Sequence, residues 1–237
     1  NKGDTILMAK MVVGDGEVFV PNLSSIENLE GTLFDDILGG DIGDNLLVGL
    51  AGNDRISGDD GNDRIIGGKG ADILDGGAGI DWAEYSSSRS GVNVNLRTGI
   101  GQGGDAEGDR LVLNAPGLLV KNSIENLLGS QSADILVGDD GDNQINPGLS
   151  QQLGGLQIVD SVNGGIGSDR LIVDYSRNDS GTGITGGYNT GSDSSGFLSR
   201  NTADNAKILD GISFLNIEHL NVIGTIKNDI IYGGSGD

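Results

Sequence analysis

Cysteine is absent from this 237-residue chain, which excludes a disulfide framework and any thiolate metal site. Rigidity in an oxidising environment must then come from another source, and a bound ion is the candidate. Aromatic residues are scarce, with four Phe, four Tyr and one Trp, and only three prolines occur. Basic residues are few: 14 stand against 35 acidic ones, and the net charge of −21 argues against nucleic acid as a partner. No apolar run approaches the roughly 18 residues of a membrane-spanning helix, and 1–10 lacks the form of a cleavable signal peptide. The sole histidine, His219, leaves no H-E-x-x-H zinc motif and argues against a histidine-dependent triad. There is no G-x-S-x-G elbow and no EF-hand loop, and Gly67-Gly68-Lys69-Gly70 lacks the spacing and hydroxyl of a phosphate loop. No catalytic residue is assigned.

Glycine and aspartate are plentiful, and they recur in phase. Six nine-residue units run without a gap from Gly31 to Glu84, beginning at Gly31, Gly40, Gly49, Gly58, Gly67 and Gly76. The sixth position is Asp36, Asn45, Asp54, Asp63, Asp72 and Asp81; the eighth is Leu38, Leu47, Ile56, Ile65, Leu74 and Ala83. Acidity alone fits disorder or simple solubility, but carboxylates in step with glycine and leucine do not.

Glycines at the first, second and fourth positions permit a tight turn that directs carbonyl oxygens toward one point. Gly49, Gly52, Gly58, Gly61, Gly67, Gly70, Gly76 and Gly79 are such positions. The aspartate at position six adds an anionic oxygen, with Asp60 as a further candidate. Carbonyls and carboxylates in a pliant loop suit Ca²⁺, which takes about 6–8 oxygens, better than Mg²⁺ with its octahedral demands. Two such carboxylates about 5 Å apart would repel by roughly 3 kcal/mol at an effective dielectric near 20, and a shared cation reverses that sign.

Each unit approximates G-G-x-G-x-D-x-U-x, with U a large aliphatic, and the pattern resembles the RTX (repeats-in-toxin, hemolysin-type) calcium-binding repeat of bacterial proteins exported by type I secretion. The copies at 58–66 and 67–75 carry the resemblance best. It implies an all-β fold, a right-handed parallel β-roll in which two units form one coil, the eighth residue points inward and several Ca²⁺ ions lie between stacked loops. Asp36, Asp54 and Asp72 would line one edge, and Asn45, Asp63 and Asp81 the other. Ligands are expected also at Asp134, Gly138, Gly141, Asp169 and Asp229, while Asn45 and Asn143 supply neutral ligands and weaker sites.

A longer period overlies the short one. Ile26-Glu27-Asn28-Leu29, Ile124-Glu125-Asn126-Leu127 and Ile217-Glu218-His219-Leu220 each precede a degenerate unit, at Gly31, Gly129 and Gly224. These segments, the Tyr85-Ser86 and Tyr175-Ser176 exits and Trp82 are read as caps on the roll. The expected organisation is N-terminal strands and cap at 1–30, a first array at 31–84, a β insertion and cap at 85–128, a second array at 129–172, a further insertion and cap at 173–223, and a third array from 224 to 237. Alternation in Gly91–Leu96 predicts a half-exposed strand, and Ile184, Tyr188, Phe197 and Leu198 are spaced for a hairpin. The three carboxylates of Gly103–Asp109 either hold another calcium or form a solvated loop. The chain breaks off in mid-repeat, as a piece of a longer protein would.

The expectation is a calcium-binding segment of a secreted, extracellular bacterial protein, folding on Ca²⁺ and serving a structural, cell-surface or adhesive role. Self-association or cell-surface components are the expected partners beyond calcium. The alternative is an export and folding appendix of a secreted enzyme or pore-forming toxin.

Overall fold

The computed structural model describes residues 5–7, 28–112, 123–148, 158–176, 183–189, 194–201, 208–224 and 228–232. The Glu27 part of the first Ile-Glu-Asn-Leu segment, the Gln151-Gln152 stretch and the chain end lie outside these residues. Within them the fold is all-β, with no α-helix and one short 3₁₀ turn at Gly104–Ala106.

Positions seven to nine of each unit form strands, and consecutive units deliver them to opposite sheets. Ile37–Gly39, Arg55–Ser57 and Ile73–Asp75 pair in parallel in one sheet, while Leu46–Ala51, Arg64–Lys69 and Trp82–Glu84 pair in parallel in the other. The register joins residues one coil apart, as in Leu47↔Ile65↔Ala83 and Leu38↔Ile56↔Leu74. A coil is thus two units, as the resemblance implies. The eighth residues are the core: Leu47, Ile56, Ile65, Leu74 and Ala83 are wholly inaccessible, and Leu38 nearly so. One fully buried aliphatic side chain per unit leaves a narrow core.

Among the described residues the two sheets have nine and twelve strands, and the larger one carries the insertions. In the nine-stranded sheet, Asn126–Leu128 pairs directly with Trp82–Glu84 and next with Gln144–Asn146, so the second array follows the first without interruption. Trp82 and the Ile-Glu-Asn-Leu segment therefore stand within the roll. In the twelve-stranded sheet three strands fill the corresponding place: Arg110–Leu111 pairs in parallel with Ile73–Asp75, Ile100–Gln102 runs antiparallel to it, and Asn93–Asn95 returns to pair in parallel with Ile135–Val137. Val92, Val94 and Leu96 point into the core, as their alternation predicts. The second insertion repeats the device, with Ile184–Tyr188 antiparallel to Gly196–Asn201 and that strand antiparallel to Ile208–Leu215.

Candidate metal centre

The turns between strands stack along both edges of the roll, and the sixth residue of each turn ties one coil to the next. Its backbone N–H donates to the inner carboxylate oxygen of the equivalent residue one coil later: Asp36 to Asp54 Oδ1 at 2.9 Å, Asp54 to Asp72 Oδ1 at 2.8 Å, Asn45 to Asp63 Oδ1 at 2.7 Å and Asp63 to Asp81 Oδ1 at 2.7 Å. The two expected edges, Asp36–Asp54–Asp72 and Asn45–Asp63–Asp81, are present in that order. An exposed second ladder runs through position five, where Asn53 N–H donates to Asp35 and Ala71 N–H to Asn53.

The inner oxygen is therefore spent on the backbone. The outer one is not. Oδ2 of Asp54, Asp63, Asp72, Asp81 and Asp169 is buried and has no hydrogen-bond partner. A carboxylate oxygen in that state costs several kcal/mol unless it is protonated or meets a cation. Burial pushes the carboxyl pKa up from 3.8, to about 7 at Asp54 and about 6 at Asp63, Asp72, Asp81 and Asp169, against the pull of the coil-to-coil N–H donors. Neighbouring carboxylates add to the rise.

These oxygens lie beside carbonyls. A Cβ placed on Gly58 would collide with both Asp63 Oδ2 and the Gly76 carbonyl oxygen; on Gly49, with Asp54 Oδ2 and the Gly67 carbonyl; on Gly164, with Asp169 Oδ2 and the Asn216 carbonyl. At position four, Gly70 has φ of 137° and sits directly over the Gly52 carbonyl, where no side chain fits. No three His, Cys, Asp or Glu side chains form a metal-holding group among the described residues. The available donor set is one carboxylate with backbone carbonyls, hard oxygen ligands of the kind Ca²⁺ accepts. The residues present fit a calcium ion.

Other expected ligands are placed differently. At Asp36 the outer oxygen accepts the Thr32 N–H at 2.6 Å and the Thr32 hydroxyl at 3.0 Å. At Asp134 it accepts the Ser130 N–H at 2.7 Å, and the Ser130 hydroxyl donates to Oδ1 at 2.8 Å. Asn45 and Asn143 accept the N–H groups of Asp41 and Asp139, each at 2.8 Å. Asp60 is exposed and bridges Ala78 through its backbone. Asp229 Oδ1 accepts the Ile184 N–H at 2.7 Å. Gly138 lies against the Asn143 side chain, and the Gly141 N–H donates to Asp139 Oδ1 at 2.8 Å.

Three ladder members lay outside the nonapeptide count. Asp109 Oδ1 takes the Asp72 N–H at 2.9 Å, Glu125 Oε2 the Asp81 N–H at 3.0 Å and Glu218 Oε2 the Asp169 N–H at 2.9 Å. Each stands two residues before an aliphatic residue, Leu111 and Leu127 in the core and Leu220 packed against it, the spacing of positions six and eight. That acid-x-aliphatic spacing was the available signal. At Asp109 the outer oxygen accepts the buried Tyr85 hydroxyl at 3.1 Å. Its two loop companions turn elsewhere, Glu107 to the Gly103 N–H and Asp105 to the Ser87 hydroxyl. His219 Nε2 lies 3.0 Å from Ser168 Oγ; both are exposed, and among the described residues no carboxylate hydrogen-bonds the imidazole.

No curated protein matches the chain. The family model of the RTX calcium-binding nonapeptide repeat matches it in four copies, at residues 24–56, 48–83, 122–149 and 221–237, taking in the turns of Asp36 through Asp81, Asp134 and Asp229. The chain thus carries RTX calcium-binding nonapeptide repeats, modules that bind several Ca²⁺ ions over successive copies.

Proposed function

We propose that this chain is a calcium-folded segment of a secreted bacterial protein, with a structural or adhesive role at the cell surface. The observation that carries it is the run of buried, partnerless carboxylate oxygens at Asp54, Asp63, Asp72 and Asp81, one in each of four consecutive turns. Ca²⁺ supplies the positive charge these turns require; Asp54, Asp63, Asp72, Asp81 and Asp169 hold it together with the carbonyls of the adjoining coils. The chain's own contribution is to fix each carboxylate through its inner oxygen and to exclude water with the core behind it. Secretion is supported by the repeat, which is typical of secreted bacterial proteins; the surface role is the further part of the proposal.

Metal removal tests the calcium part. The expected result is loss of the β circular-dichroism signal on stripping the metal at neutral pH and its return on adding Ca²⁺ but not Mg²⁺. An undiminished signal and an unchanged melting temperature after verified metal removal would overturn it. Adhesion of calcium-loaded protein to intact bacterial cells, lost on chelation, tests the surface role; no retention on cells in calcium would count against it.

A further inference from the structure

The turns divide into two sets, and the second residue of each turn marks the division. In the turns of Asp54, Asp63, Asp72, Asp81 and Asp169 that residue is left-handed: Leu50 has φ of 80°, Asp59 of 75°, Gly68 of 100°, Gly77 of 95° and Gly165 of 108°. These are the turns whose outer oxygen is buried without a partner. In the turns of Asp36, Asn45, Asp134 and Asn143 the second residue, Thr32, Asp41, Ser130 or Asp139, is outside the left-handed region, and its N–H points at the sixth side chain from 2.6–2.8 Å. Two members of the first set keep the left-handed conformation although they are not glycine. For Leu50 and Asp59 that costs about 1–2 kcal/mol each, a strain that natural chains keep mainly where a site needs it.

We propose that the backbone conformation of the second residue decides which turns take calcium. A left-handed residue swings its N–H away from the carboxylate and leaves the outer oxygen to the ion. Any other conformation aims the N–H at that oxygen, and the amide hydrogen stands where a cation's charge would act. The turns of Asp54, Asp63, Asp72, Asp81 and Asp169 are then calcium sites, while those of Asp36, Asn45, Asp134 and Asn143 are closed by their own backbone and take none. The inference rests on the calcium function proposed above and narrows it to particular turns. It also separates two explanations for Asn45, missing charge and a closed turn.

Ion counting on the full chain by native mass spectrometry at saturating Ca²⁺, with circular dichroism to verify folding, tests it. Asp72→Asn should lower the count by about one ion, and Asp36→Asn should leave it unchanged. Asn45→Asp alone should add none, because Asp41 still aims its N–H at the new carboxylate. Asn45→Asp with Asp41→Gly should add about one ion, since glycine adopts the left-handed conformation freely. An ion gained by Asn45→Asp alone, or lost by a folded Asp36→Asn variant, would overturn the rule. A parent chain that binds no Ca²⁺ would overturn the proposed function itself.

Discussion

A carboxylate that is buried, fixed through one oxygen and bare at the other is a charge waiting for a partner, and a proton can serve where calcium is withheld. Asp54 and Asp109 titrate near 7, and Asp63, Asp72, Asp81 and Asp169 near 6, all raised from 3.8 first by burial. Between about pH 4 and pH 7 the folded state therefore holds more protons than the unfolded one, so metal-free stability falls as pH rises through that window. Metal-stripped protein, without its β circular-dichroism signal at neutral pH, should recover part of that signal at pH 5; a signal no stronger at pH 5 than at pH 7.5 would contradict the assignment. Backbone strain is a second residue-scale handle. Leu50→Gly should relieve about 1 kcal/mol and raise the urea midpoint in calcium, since its side chain is over one-third exposed and contributes little to the core. The position-six residues were legible in the sequence as a periodic set, but the state of their outer oxygens was not. That state depends on the φ of a residue four positions earlier, and Leu50 and Asp59 show that the letter does not announce it.

Strands and turns of the roll were legible because their period is strict, and the alternation of Val92, Val94 and Leu96 marked the inserted strand equally well. Less visible was that each insertion enters one sheet only, so that segments read as caps are coils of the roll. Glu125 shows why: an acid two residues before Leu127 looks like a local cap until Asp81 N–H is found on its carboxylate, 44 residues away in sequence. The insertion also ends one row of turns with a tyrosine. Tyr85 is fully buried, its own pKa is pushed well up by that burial and by Asp109, and its hydroxyl occupies the Asp109 oxygen that would otherwise be bare. Tyr85→Phe should cost about 1–3 kcal/mol, the price of an unsatisfied buried acceptor, read as a lower urea midpoint in calcium. A loss below a few tenths of a kcal/mol would show that the hydroxyl is dispensable.

At the scale of the whole molecule, the ladder of sixth residues has a direction. Every coil supplies the amide and its successor supplies the carboxylate, from Asp36 through Asp54 and Asp72 to Asp109, and from Asn45 through Asp63 and Asp81 to Glu125. No coil is finished until the one after it has arrived. Damage must then spread asymmetrically: Glu125→Ala should speed amide exchange at Asp81 by about tenfold or more, while Asp54→Ala should unprotect Asp36 and spare Asp72, with hydrogen exchange by NMR as the measurement. Equal deprotection on both sides of the altered residue would contradict it. A chain laid down from its N-terminus trails an amide without an acceptor at its growing tip, whereas one assembled from its C-terminus adds each new amide to a carboxylate already waiting. The roll is a polar polymer in miniature, with unlike ends and a preferred direction of growth.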